Sequence, residues 1–169
     1  MTQLSAVTRR RVTTNWASRF PGFDVWKPMR LLRRIGPVLQ GISLDSTTSG
    51  DDYFPSAHVH ALTREFPVVS LGMNQRLVGA TGVQERVSFA RHDDEYRDAA
   101  ERLRGQSRLS LDEPPTIEEI VAAYHGHAVE HKGKGYPPAV NEMEDCVLVA
   151  AVAGKPEFHK LGKIRSAGS

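Results

Sequence analysis

The order of strand-like and helix-like segments constrains this chain more than any other feature. Strand signals gather between residues 25 and 73: KPMRLLRRIG (27–36), VLQGISLDS (38–46), SAHVHAL (56–62) and FPVVSLGM (66–73). The connectors between them are Gly36-Pro37, the polar turn TTSGDD (47–52) and the short TRE. A parallel crossover needs about a dozen residues, so connectors this short favour hairpins and an antiparallel meander. Pro67 sits near the start of its segment, where a missing ladder donor is tolerated. From about residue 85 the period changes from two to three or four. Strands first and helices afterwards is an α+β order. The expectation is an antiparallel sheet of four to five strands over about residues 25–90, followed by three helices packed on one face.

The helices have readable punctuation. HDDEYRDAAERLRG (92–105) opens on acidic residues that suit the positive helix end. Tyr96, Ala99, Ala100 and Leu103 make its stripe, and Gly105 is a plausible residue after its end. TIEEIVAAYHGHAVEH (116–131) begins with Thr116 and Glu119 at capping-box spacing. Ile117, Ile120, Val121, Tyr124 and Ala128 form its core-facing stripe, and Gly126 predicts a bend or stop near His125–His127. AVNEMEDCVLVAAVAG (139–154) is the most apolar helix, with Val140, Met143, Val147 and Ala151 as its stripe and Gly154 and Pro156 as its stop. Residues 5–19 form a further short helix, with Ser5 as N-cap and Val7, Val12 and Trp16 as a loose apolar set. Residues 1–154 are read as a single α+β domain with a basic N-terminal helix or arm (1–24). Residues 155–169 are read as a flexible basic tail.

Composition narrows the class. At 169 residues and 40% hydrophobic content the chain can bury a sizeable core without staples. Its one cysteine, Cys146, excludes an internal disulfide framework and a multi-cysteine zinc site, and suits a cytoplasmic setting. Cys146 stands among Val147, Leu148 and Val149, a place for a buried thiol rather than a nucleophile. No apolar run precedes a cleavage site in the first twenty residues, so no secretory leader is expected. The longest apolar run, CVLVAAVAG, is less than half of a membrane span. Hydrolase elbows, P-loops and dinucleotide fingerprints are absent from the sequence.

Charge is uneven. Residues 1–40 carry eight basic groups against Asp24, a net of +7; residues 41–154 carry −8 and residues 155–169 carry +3. Arg9, Arg10, Arg11, Arg30, Arg33 and Arg34 are interleaved with Trp16 and Trp26. Arginine with aromatics is the composition of protein-interface hot spots and of nucleic-acid surfaces. The acidic body favours a protein partner, whether another subunit, a toxin or effector, or a second copy of the chain, over nucleic acid. A membrane partner is not expected.

Two histidine pairs invite a chemical reading. His58 and His60 share one face of a strand, with Ala57, Val59 and Ala61 on the other. His127 and His131 are one helical turn apart. His58, His60, His127 and His131 can form a metal set, and His58, His60 and Asp52 a small hydrolase or nuclease site. The alternative for all four is a polar sheet face or core edge. With no completing ligand or nucleophile at a known spacing, no catalytic residue, metal or cofactor is assigned.

FPGFDVWKPMRLLRRIGPVLQGISLD and YFPSAHVHALTREFPVVSLG, within residues 20–72, resemble small actinobacterial proteins of uncharacterised or immunity type. In those a strand with a Gln-x-Ile-like segment precedes one with a His-x-His pair. NEMEDCVLVAAVAGKPE resembles their alanine-rich C-terminal helix. The resemblance carries no catalytic residues. It implies a cytoplasmic bacterial protein that acts by binding another protein. Its setting would be immunity, antitoxin action or a small subunit of a defence assembly.

Overall fold

A computed structural model describes residues 4–63 and 71–153. Among these residues there are four helices and one antiparallel sheet, so the chain is α+β. The sheet has six strands. β1 (Asp24–Lys27), β2 (Arg30–Ile35), β3 (Val38–Ser46), β4 (Asp52–Ala61) and β5 (Gly72–Arg76) lie in sequence order. The short β6 (Val87–Ser88) pairs with the start of β4, Tyr53 opposite Val87. Residues 66–70 of the expected fourth segment lie outside the described residues, as does the expected tail 155–169.

The chain divides into two compact units. One comprises Met1–Arg33, Gln40–His58 and Asn74–Pro114; the other comprises Arg34–Leu39, Val59–Met73 and Pro115–Ser169. In the first, α1 (Ala6–Arg19) starts where the Ser5 hydroxyl accepts the Thr8 N–H at 3.1 Å. Val12, Thr13 and Trp16 are its buried residues. Val7, expected on that stripe, is 74% exposed. Five residues before Val12 is roughly 140° around the helix, and Phe20 takes the inward place instead. α2 (His92–Gln106) buries Tyr96, Ala99, Ala100 and Leu103 as its spacing predicts.

Two details of this unit differ from the expected pattern. Residues 27–36 are not one strand, because Pro28 and Met29 turn the chain between β1 and β2. Arg33 is 6% exposed rather than solvated. Its guanidinium donates to Gln40 Oε1 (2.8 Å) and to the carbonyls of Asp112 and Ser110 (both 2.9 Å), and so holds the chain that leaves α2.

In the second unit α3 (Ile117–Gly133) and α4 (Val140–Val152) pack on each other. The capping box is complete: the Glu119 N–H donates to Thr116 Oγ1 and the Thr116 N–H to Glu119 Oε2. α3 runs through Gly126 without the expected stop, since packing on α4 outweighs one glycine's propensity cost of about 1 kcal/mol. α4 buries Cys146, Val149 and Ala150 rather than Val140, Val147 and Ala151. So many of its positions are apolar that periodicity alone does not choose the face. Burial pushes the Cys146 thiol up to about 11, which leaves it protonated and inert at neutral pH. Among the described residues no helix is long and apolar enough to cross a membrane.

Candidate anion-binding groove

The β1–β2 turn builds the most distinctive surface of the first unit. Lys27-Pro28-Met29-Arg30 has proline at the second turn position and Met29 at φ +68° in the third, the pattern of a type II turn. Glycine or asparagine is usual there, because a side chain in the left-handed region costs about 1 kcal/mol or more. Met29 is held in place by three contacts. Its N–H donates to Thr13 Oγ1 of α1 at 2.7 Å, its carbonyl accepts the Leu44 N–H of β3 at 3.0 Å, and its side chain is 3% exposed. The strain is therefore offset by burial and hydrogen bonds, and the turn is fixed against both α1 and β3.

The fixed turn leaves a groove of about 560 Å³ between α1, the turn and the end of β3. Ala6 and Arg9 line it from α1, Lys27 and Arg30 from the turn, and Asp45 and Ser46 from β3. Arg30 donates to Asp45 at 2.7 Å and to the Met29 carbonyl at 3.0 Å. Arg9 and Lys27 are exposed, and among the described residues neither has an anionic partner. The lining is thus two charges positive, three cations against one carboxylate. Trp26, next to Lys27 in sequence, is 49% exposed, and the Lys27 ammonium lies 4.4 Å from its ring centre.

The other residues expected on an interface are placed differently. Arg10 is exposed on α1. Arg11 bridges Asp93 of α2 at 2.5 Å, and that bond holds the Asp93 carboxyl below its ordinary range. Arg34 is exposed and bonds the Gly36 carbonyl at 2.9 Å. Trp16 is fully buried, and its indole N–H donates to the Tyr53 hydroxyl at 2.8 Å. Its spacing of four from Val12 was the signal that it belongs to the core.

Among the described residues, the candidate histidines do not form a metal-holding group. His58 and His60 lie on one face of β4, but both are buried (3% and 6% exposed) because both faces of that strand are covered. The His58 ring lies over Gly41 of β3, where an added Cβ would stand 2.3 Å from it. Burial pushes the His60 pKa down, against the raising effect of Asp145. Asp52 is six residues along β4 from His58, about 20 Å in an extended strand, and pairs with Arg86 at 3.7 Å. His127 and His131 stand with ring centres 5.7 Å apart on α3, the second 5.0 Å from Tyr136. Among the described residues no group of three or more His, Cys, Asp or Glu is placed to hold a metal ion.

One polar cluster had no sequence signal. His92, read only as the start of a helix, is fully buried, with Nδ1 2.9 Å from the Tyr53 hydroxyl. Tyr53 accepts from Trp16. The other ring nitrogen, Nε2, lies 3.1 Å from the Asn15 amide nitrogen, and which ring nitrogen carries the proton sets the direction of both bonds. Burial and the Arg11 cation push the His92 pKa down, with Asp93 opposing. The chain Trp16–Tyr53–His92–Asn15 joins α1, β4 and α2.

Compared with protein-family models, curated proteins and solved structures, the chain matches none.

Proposed function

We propose that the protein is a non-enzymatic protein–protein interaction module that recognises an acidic partner through the Arg9–Lys27–Arg30 groove. Its setting is bacterial conflict, as an immunity or antitoxin-like protein or a small subunit of a defence assembly in the cytoplasm. The observation that carries the reading is the groove itself, a fixed turn holding two uncompensated cations beside an exposed tryptophan. Tryptophan and arginine at a shaped, partly apolar surface are the residues on which interface energy concentrates. The acidic groups of α2 are a weaker recognition surface. Asp93, Glu95, Asp98 and Glu101 each pair with an arginine of the same unit.

The test is titration of an aspartate- and glutamate-rich peptide while Trp26 fluorescence is followed, with wild type beside an R9E/K27E variant. Both substituted positions are exposed, so the fold should be kept, as circular dichroism will show. Binding that weakens with salt and is lost in the variant supports the reading. Equal binding by the variant removes the groove from it. Tighter binding of a single-stranded oligonucleotide than of the peptide moves the protein to the nucleic-acid class.

A further inference from the structure

Resting on that acidic-partner reading, we infer that the groove binds a phosphomonoester, carried as phosphoserine on the partner segment. Charge makes the first selection. The Asp45 carboxylate already accepts from Arg30, at 2.7 Å. A partner carboxylate brings about one negative charge to a lining that is two positive. A phosphomonoester brings about 1.5 to 2 and matches it.

Donor geometry makes the second selection. Arg30 is held by Asp45 and by the Met29 carbonyl, so two of its N–H groups are used; about three of its five remain free to form a fork toward a tetrahedral anion. Arg9, Lys27 and Ser46 line the same groove from three different elements. Ala6, the first residue of α1, also lines it and brings the positive end of a fourteen-residue helix. A planar carboxylate cannot use donors from so many directions at once, whereas three phosphate oxygens can.

Size makes the third. A volume of about 560 Å³ is far more than one phosphate fills, and it falls in the range of sites that hold a group with its neighbours. The strained Met29 turn fits the same purpose. It keeps Lys27 and Arg30 in register before any ligand arrives, so little ordering is needed on binding.

The experiment compares three fluorescent peptides of one acidic sequence whose central residue is serine, aspartate or phosphoserine. Binding is read by anisotropy, with inorganic phosphate as competitor, in wild type, K27Q and D45N. The expected order is phosphoserine about tenfold tighter than aspartate, with displacement by phosphate. K27Q should remove most of that preference. D45N, which raises the lining from two positive charges to three, should tighten both anionic peptides and keep the phosphoserine peptide the tighter. Should D45N not fold, the exposed K27Q substitution still decides the matter. Phosphoserine and aspartate peptides binding alike would overturn the phosphate inference and leave the acidic-partner reading standing. Phosphate binding while no peptide binds would overturn both.

Discussion

Replacing Tyr53 with phenylalanine removes one oxygen from the middle of a buried polar chain and changes almost no volume. That oxygen accepts the Trp16 indole N–H at 2.8 Å and is hydrogen-bonded to His92 Nδ1 at 2.9 Å, and all three side chains are fully buried. The variant leaves the Trp16 indole N–H and His92 Nδ1 without their shared partner. Each buried group left unsatisfied costs about 1–3 kcal/mol, and the hydroxyl's own desolvation is recovered in part. The expected loss is therefore about 3 kcal/mol. At about 2–4 °C per kcal/mol for a chain of this size, the melting temperature should fall by roughly 6–12 °C. The measurement is urea unfolding followed by the fluorescence of Trp16, in a W26F background so that the exposed tryptophan is silent. Its companion is a Y53F/H92L variant, which removes the stranded imidazole and should recover part of the loss. A Y53F protein within about 0.5 kcal/mol of wild type would refute the description of this chain as a set of mutually satisfied groups.

The remaining predictions concern histidines. G41A places a Cβ 2.3 Å from the buried His58 ring and 2.9 Å from Leu32, so it should cost about 2 kcal/mol in chemical denaturation; combined with H58A the loss should be smaller than the sum by about 1 kcal/mol. His92 and His60 both have folded pKa values below the ordinary 6.5, so the unfolded chain takes up protons first as pH falls. Their contribution is whole above 6.5 and is lost as pH drops below it toward the depressed folded values, so urea midpoints at about pH 5.5 should lie below those at about pH 7.5, with a smaller drop in H92Q.

How much of this was readable in the sequence depended on whether a local signal was unique. The capping box at Thr116 and Glu119 has few alternative meanings, and α3 begins there. The segment 38–46 is bounded by Gly36-Pro37 and TTSGDD, and β3 has those limits. By contrast the β1–β2 turn was hidden, because Met29 stands where a type II turn normally shows glycine or asparagine. Tertiary contacts from Thr13 and Leu44 support it, and neither is near in sequence. The groove was half legible for the same reason. Arg9 and Arg30 belong to the basic N-terminal set, but Asp45 and Ser46 reach it only through the folding of β3 against that turn. Composition showed which charges were available, not which of them were already paired, and so Arg11 and Arg33 looked like their neighbours until the structure joined them to Asp93 and to the 110–113 segment.

The histidine strand shows why a period-two pattern is ambiguous even when it is read correctly. Alternation of Ala57, Val59 and Ala61 with His58 and His60 normally marks a sheet with one wet face. In β4 the alternation is real, but both faces are covered, so the second face had to accommodate two imidazoles in the interior. What made room is a glycine on the neighbouring strand. The Thr47 N–H donates to the Asp52 carbonyl at one end of the β3–β4 hairpin, and the Leu62 N–H to the Pro37 carbonyl at the other. Equal lengths of chain lie between those bonds, which sets Gly41 opposite His58. Glycine inside a strand usually weakens it or marks a close approach, and here the approaching group is the His58 ring itself. Gly41 and His58 are therefore one packing unit. A histidine whose volume is matched by a missing side chain across the ladder fills space in the interior of the sheet.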